Sequence, residues 1–278
     1  MGQAPASGSA SVRVSALGVR PAVAAGTFYP DDPQTVAATV DALVDAGTPP
    51  EGVGEPKGLI VPHAGYRYSG PVAATAYSLL ARIQAPPVRV CVLGPAHFVG
   101  LRGASVPEAA AWATPLGEVP VDPDLMEAAV SAGATVGDGP HAPEHAVEVQ
   151  LPFLQRILGP SLSVLPVAVG DWEPARTAAL IGALADVAGT FIVASTDLSH
   201  YHPETEARAL DARTAEAVVR RDAGAIGPEA ACGVHALRGM VEHACGRGLA
   251  IHLLDLRTSA DTSGDPFRVV GYGAFALA

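Results

Sequence analysis

The sequence predicts an α/β fold, a three-layer α/β/α sandwich around a mostly parallel or mixed central sheet. Three observations predict it. Short runs rich in Val, Ile and Leu, bounded by Gly or Pro, read as buried strands. Longer amphipathic stretches, several with Pro in the first turn, alternate with them and read as helices. Three of the apolar runs also stop on a histidine-bearing turn: Gly58-Leu-Ile-Val-Pro-His63, Val90-Cys-Val-Leu-Gly-Pro-Ala-His97 and Phe191-Ile-Val-Ala-Ser-Thr-Asp-Leu-Ser-His200. In open α/β sheets, ligands bind in the crevice beyond the carboxyl ends of the strands. Three distant segments thus deliver imidazoles to one region.

The elements follow in order. Pro49, Pro50, Gly52 and Gly54 mark a loop. Residues 58–62 read as a strand, and 70–83 as a helix with Ala73, Ala76, Tyr77 and Leu80 on one face. Residues 88–93 are the next strand. Pro115 and Gly117 interrupt apolar pieces between Trp112 and Val121, so a smaller β excursion is expected near 105–121. Residues 123–132 form a helix opened by Asp122 and Pro123. The loop Gly137-Asp-Gly-Pro-His-Ala-Pro143 precedes a helix over 145–158, which Pro152 is expected to disturb. A strand over 162–168 and a helix over 173–188 follow, then the third histidine-ended strand at 190–195. Helices at 203–221 and 235–248 and closing strands at 249–256 and 267–277 complete a single α/β domain spanning 19–278. No repeat of solenoid period is present.

Composition narrows the function classes. At 278 residues with 49% hydrophobic content, the chain buries a core without disulfides or structural metals. A net charge of −11 argues against nucleic acid as the main partner, because phosphate contacts require a basic surface. Cys91, Cys232 and Cys245 are too few and too odd in number for a disulfide framework, and reduced thiols in the cytoplasm fit better. Residues 1–18, rich in Ala, Ser and Gly, lack the basic start and apolar centre of a signal peptide and read as a flexible N-terminus. No run approaches the roughly 20 apolar residues of a membrane span.

The strand ends carry the chemistry. His63 follows Pro62, which ends its strand, and is followed by Tyr66 and Tyr68, which offer hydroxyls. His97 follows a second strand and a Gly-Pro pair. Neutral imidazole is the commonest metal ligand, although a loop histidine also serves as a structural hydrogen-bonding group. Asp197 lies three residues before His200, a spacing at which a carboxylate can orient the ring; it equally suits a helix or turn cap. His141 and His145 stand four apart, but Pro143 argues against the continuous zinc-binding helix that spacing otherwise signals. His145, with Glu148 on the next turn, fits a substrate contact or a first-turn surface histidine. Cys232, before Gly233 and a helix, fits either a small buried hydrophobe or a thiolate favoured at a helix start.

Several motifs, in order along nearly the whole chain, together resemble the Memo family, whose bacterial and archaeal members are called AmmeMemoRadiSam system protein B. They are Arg20-Pro-Ala-Val-Ala-Ala-Gly-Thr-Phe-Tyr-Pro30, Val61-Pro-His-Ala-Gly-Tyr66 with Tyr68 and Ser69-Gly70, and Leu93-Gly-Pro-Ala-His97. Trp112-Ala-Thr-Pro-Leu-Gly117, Glu144-His145 through Leu151-Pro152-Phe153, Ser195-Thr-Asp-Leu-Ser-His200 and Cys232-Gly233 continue the series. The resemblance implies a fold similar to the class III extradiol ring-cleaving dioxygenases, which hold non-haem iron(II) with two His and one Glu. It implies His63 and His97 as metal ligands, Cys232 in place of the carboxylate, and Asp197, His200 and His145 as pocket residues; the expectation built on it makes Asp197, His200 and His145 catalytic and Tyr66 and Tyr68 substrate contacts.

Two imidazoles and a thiolate form a softer donor set than the dioxygenase site, so copper and zinc compete with iron(II). The expectation is one transition metal ion, iron(II) or copper foremost and zinc as a third option, serving a dioxygenase-like oxidoreductase that acts on a small molecule or peptide. The alternatives are a zinc hydrolase and a non-catalytic peptide- or partner-binding module. The family's system name implies a radical SAM partner, yet no Cys-x-x-x-Cys-x-x-Cys run is present to hold an iron–sulfur cluster in this chain.

Overall fold

A computed structural model describes residues 18–278 apart from 87, 263 and 264; most of the N-terminal stretch read as flexible lies outside the described residues. The elements are β1 (Val19–Arg20), α1 (Pro33–Ala46), β2 (Gly58–Val61), α2 (Tyr66–Leu80), β3 (Arg89–Pro95), β4 (Ala104–Val106), β5 (Ala111–Thr114), β6 (Gly117–Pro120), α3 (Pro123–Ser131) and β7 (Thr135–Val136). They continue with α4 (Leu151–Leu158), β8 (Ser163–Val169), α5 (Pro174–Ala185), β9 (Thr190–Ser195), β10 (His200–His202), α6 (Glu204–Val219), α7 (Val234–Arg247), β11 (Ile251–Thr258), α8 (Ser259–Thr262) and β12 (Val269–Leu277).

The main sheet is mixed and runs β10-β12-β2-β9-β3-β8-β4-β7, with β11 also pairing β12. Its centre, β2-β9-β3-β8, is parallel. Alternate residues along these strands divide between two cores. Ile60, Cys91, Leu93, Leu165, Val167 and Ile192 pack with side chains of α3, α5, α6 and α7 on one face. Leu59, Val61, Val90, Val92, Val164 and Val193 pack with α1, α2 and α4 on the other. A period of two in strands buried on both faces gives the three layers.

Four sequence expectations change. Residues 33–46, assigned no element above, form α1: Asp32 accepts the Thr35 amide as N-cap, Pro33 sits in the first turn, and Val36 and Val40 are buried one turn apart. Helix α2 starts at Tyr66, one turn before the expected position, and carries Pro71 inside it. The segment 145–158 is a turn, a short 3-10 stretch at Glu148–Gln150 and then α4. Pro152 falls in the first turn of α4, where no backbone donor is needed, so it disturbs nothing. The β excursion near 105–121 narrows to the β5–β6 hairpin, which β1 joins in a three-stranded sheet, while β4 pairs with β8 in the main sheet.

Candidate metal centre

The site gathers at the carboxyl ends of three adjacent parallel strands. β9 lies between β2 and β3, with Val61 opposite Ser195 and Leu93 opposite Ala194. His63 and Asp197 each stand two residues past the Val61–Ser195 pair. The Thr196 amide donates to the Val61 carbonyl at 2.8 Å, and the His63 amide donates to Oδ1 of Asp197 at 2.7 Å. Cys232 enters from the loop before α7. A Cβ on Gly233 would lie 2.9 Å from Cβ of Thr196 and 3.0 Å from the Ser195 carbonyl oxygen, so only glycine lets this turn close on the end of β9.

The structure brings His63, His97 and Cys232 together, with one ligand atom from each within 4.8 Å of the others. Sγ of Cys232 lies 3.2 Å from Nε2 of His63. Bonds of about 2.0 Å to nitrogen and about 2.3 Å to sulfur in tetrahedral geometry place such donors about 3.5 Å apart, so the spacing suits a transition metal.

The hydrogen bonds around each ring determine which of its nitrogens is free. Nε2 of Gln150 faces the Pro62 carbonyl oxygen at 2.9 Å, which only the amide NH2 can satisfy, and donates to Oγ of Ser195 at 2.9 Å. The Ser195 hydroxyl spends its proton on the Ala146 carbonyl at 2.7 Å. The 3.0 Å contact between Ser195 Oγ and Nδ1 of His63 therefore has the ring donating, and Nε2 keeps its lone pair toward Cys232. Burial, with the neighbouring His97, holds the His63 pKa down to about 3, so the ring stays neutral at ordinary pH.

Nδ1 of His97 lies 2.9 Å from Oε1 of Glu144. Burial favours the neutral acid at Glu144, but hydrogen bonds from the His97 ring and the amides of Ala146 and His97 outweigh it and hold the pKa at about 2. An ionised carboxylate on Nδ1 leaves Nε2 of His97 as the donor, the arrangement found behind many metal-binding histidines.

Burial pushes the Cys232 thiol up to about 12, and the charge of Asp197 adds to this. The amide of Asp197, 3.3 Å from Sγ, the Thr196 hydroxyl and the Gly233 amide act in the opposite sense. A neutral thiol beside the neutral His63 ring, with the His97 ring held by Glu144, is a donor set that a cation completes, since coordination deprotonates the thiol. The residues fit a transition metal.

The remaining expected site residues distribute differently. Asp197 and His200 share the same turn, but Asp197 does not hold the His200 ring. Nδ1 of His200 donates to the Leu198 carbonyl at 2.8 Å, so in the neutral ring the lone pair lies on Nε2. Asp197 takes the turn-anchoring role, accepting the His63 amide at 2.7 Å, and burial pushes its pKa up against that bond. The ring of His145 stacks between Phe28 at 4.2 Å and His97 at 4.9 Å, and burial lowers its pKa to about 4.

Glu148 does not accompany His145 into the site: it is buried and accepts the Tyr29 hydroxyl at 2.7 Å. Tyr66 also departs from its expected role. Starting α2 at residue 66 turns its side chain into the core, where the hydroxyl donates to the Val149 carbonyl at 2.6 Å and is committed there. Tyr68 is partly buried with the Arg67 guanidinium 4.9 Å from its ring centre.

Sequence reasoning passed over Glu144, Gln150 and Ser195, which set the two ring tautomers, and Tyr272, buried on β12 with its ionisation opposed by burial and by Asp197. Glu144, Gln150 and Ser195 all lie within the motif stretches; Tyr272 carried no local signal of a role.

The profile of the Memo-like protein family matches residues 20–276. A MEMO1 family protein of Methanopyrus kandleri is 38% identical over 282 residues, covering 92% of this chain and 98% of its own. One from Aquifex aeolicus is 36% identical over 265 residues, covering 91% and 97%. Among solved structures, an uncharacterized protein of Escherichia coli K12 superposes with a TM-score of 0.53 at 14% identity over 78% of this chain and 98% of its own, a likeness of fold alone. With its motifs, its strand-end site and a match of this extent, the chain belongs to the Memo family.

Proposed function

We propose that this chain is a metal-dependent oxidoreductase that holds one transition metal ion, iron(II) or copper, between His63, His97 and Cys232. The observation that carries this reading is the convergence of two lone-pair nitrogens and one sulfur within 4.8 Å, each ring nitrogen freed by a hydrogen bond on the other side of its ring. Three protein ligands leave coordination positions open for substrate. A bound iron or copper ion supplies Lewis acidity and a redox couple.

The chain's own groups do the rest. Nε2 of His200, freed by the Leu198 carbonyl, accepts a proton from substrate. His145, neutral and held between Phe28 and His97, contacts the substrate's apolar surface. A small molecule or an extended peptide side chain is the substrate class.

The test is anaerobic purification, metal quantification and a screen of catechol-type substrates. The expected result is one metal per chain, lost in His63→Ala and in His97→Ala. A protein that holds no metal and takes up none of iron, copper or zinc overturns the proposal. Ester or amide hydrolysis restored by zinc and not by iron replaces it with a zinc hydrolase, which the same three ligands also suit.

A further inference from the structure

The Arg20–Pro30 motif has no place in the ligand set, yet its side chains reach toward it. The Arg20 guanidinium is buried. Its Nε donates to the His141 carbonyl at 2.9 Å, Nη2 donates to the Glu144 carbonyl, and Nη1 donates to Oε2 of Glu148 at 2.5 Å. Its flat face lies 4.0 Å from the ring centre of Trp112. Glu148, fully buried, answers with both oxygens. Oε2 accepts the Val23 amide at 2.9 Å, while Oε1 accepts the Ala24 amide at 2.8 Å and the Tyr29 hydroxyl at 2.7 Å. One ion pair thus binds the strap of residues 20–29 to the segment 141–148.

That segment and the turn after it carry the groups that hold both imidazoles. Glu144 receives the His97 ring, and two residues beyond Glu148, Gln150 holds Ser195 against the His63 ring. The strap itself brings Phe28 onto His145. A buried ion pair is costly to desolvate and is matched by hydrophobic groups of the same shape, so stability alone does not account for it. A guanidinium is the side chain that can hold two carbonyls and a carboxylate at fixed angles at once.

We infer that Arg20, through its pairing with Glu148, is a positioning residue for the metal centre: it sets the placement of Glu144 and thereby the orientation and tautomer of His97. This rests on the reading of His97 as a ligand, but its consequence is present in the metal-free protein.

The test uses Arg20→Lys, which keeps the charge but loses the fork, and Tyr29→Phe, which removes one donor from Glu148 and spares the fold if Arg20→Lys does not. The first readout is the Nδ1 proton of His97 in 15N-histidine NMR of metal-free protein, where the hydrogen bond to Glu144 protects it from exchange. The expected result is loss or displacement of that resonance in a variant that still melts cooperatively, a change that a general loss of stability does not produce. An unchanged resonance in a folded Arg20→Lys or Tyr29→Phe protein overturns the inference, whatever the metal result.

The second readout is metal affinity, expected to fall by about 10-fold or more, as when groups behind a metal-binding histidine are disturbed. If the wild-type protein binds no metal while the resonance still responds, the oxidoreductase proposal fails and the positioning of His97 stands.

Discussion

Oε1 of Glu144 sits 2.9 Å from Nδ1 of His97, while Oε2 of the same carboxylate accepts the His97 amide at 2.6 Å. Ring and backbone of one residue are held by one group 47 positions away. Oε1 also accepts the amides of His145 and Ala146, both at 2.9 Å, so four donors depend on this carboxylate. A glutamine presents one acceptor oxygen and two unwanted protons. Glu144→Gln is expected to weaken metal binding about 10–100-fold and to destabilise the protein by about 1–3 kcal/mol. Chelator competition and urea unfolding measure the two effects; wild-type values in both exclude the supporting role of Glu144.

Cys232 is what separates this donor set from two imidazoles and a carboxylate. In Cys232→Asp, the harder oxygen ligand is expected to move preference away from copper(I) and zinc and toward iron(II). Pairwise metal competition under anaerobic conditions checks it. An unchanged order of affinities means that the sulfur at position 232 is not a ligand.

The His200 turn rests on a close approach. A Cβ on Gly271 would lie 1.9 Å from Oδ2 of Asp211, whose Oδ1 accepts the Ser199 amide at 3.0 Å. The backbone of Gly271 accepts the Leu198 amide and donates to the Ser199 carbonyl, each at 2.8 Å. Neither side can withdraw without releasing the turn that presents His200. Gly271→Ala is expected to cost about 1–3 kcal/mol in denaturant unfolding, the usual range for overpacking, and to shift the His200 ring resonances. Wild-type stability with unmoved resonances refutes it.

His141 gives a pH signature away from the metal ligands. Its Nε2 contacts the Ser105 carbonyl at 3.1 Å, and burial lowers its pKa from 6.5 to about 4. The folded state therefore prefers the neutral ring, and the unfolded chain binds the extra proton first. This group's contribution to stability is complete above pH 6.5, declines as pH falls and is lost once pH passes about 4. Urea unfolding of the metal-free protein from pH 7 to 4 measures the decline, and His141→Gln is expected to flatten it. An equal slope in the variant assigns the effect to other groups.

Much of this was legible in the sequence because it is local. Val-rich runs with glycine or proline at their ends gave the strands, and the alternation of Leu59 and Val61 against Ile60 is the period that splits the two cores. Asp122 with Pro123 marked the start of α3, and Asp32 with Pro33 carried the same signal for α1. Tyr66 and Pro152 went the other way. Whether proline opens a helix or interrupts it depends on where the helix starts, and sequence-based boundaries are uncertain by a few residues. Moving the start of α2 by one turn took Tyr66 from the site into the core.

The sequence by itself determined that strands and helices alternate, that three strands end on histidine turns, and that the motifs are those of the Memo family. Those features depend on periodicity and turn chemistry within a few residues. The tertiary structure decided which nitrogen of each ring is free, that Leu198 and not Asp197 orients His200, and that Arg20 and Glu148 stand behind the ligands. These depend on hydrogen bonds between residues far apart in the chain: 134 positions from His63 to Asp197 and 128 from Arg20 to Glu148. A buried polar group must find a partner, and the folded backbone decides which partner is within reach.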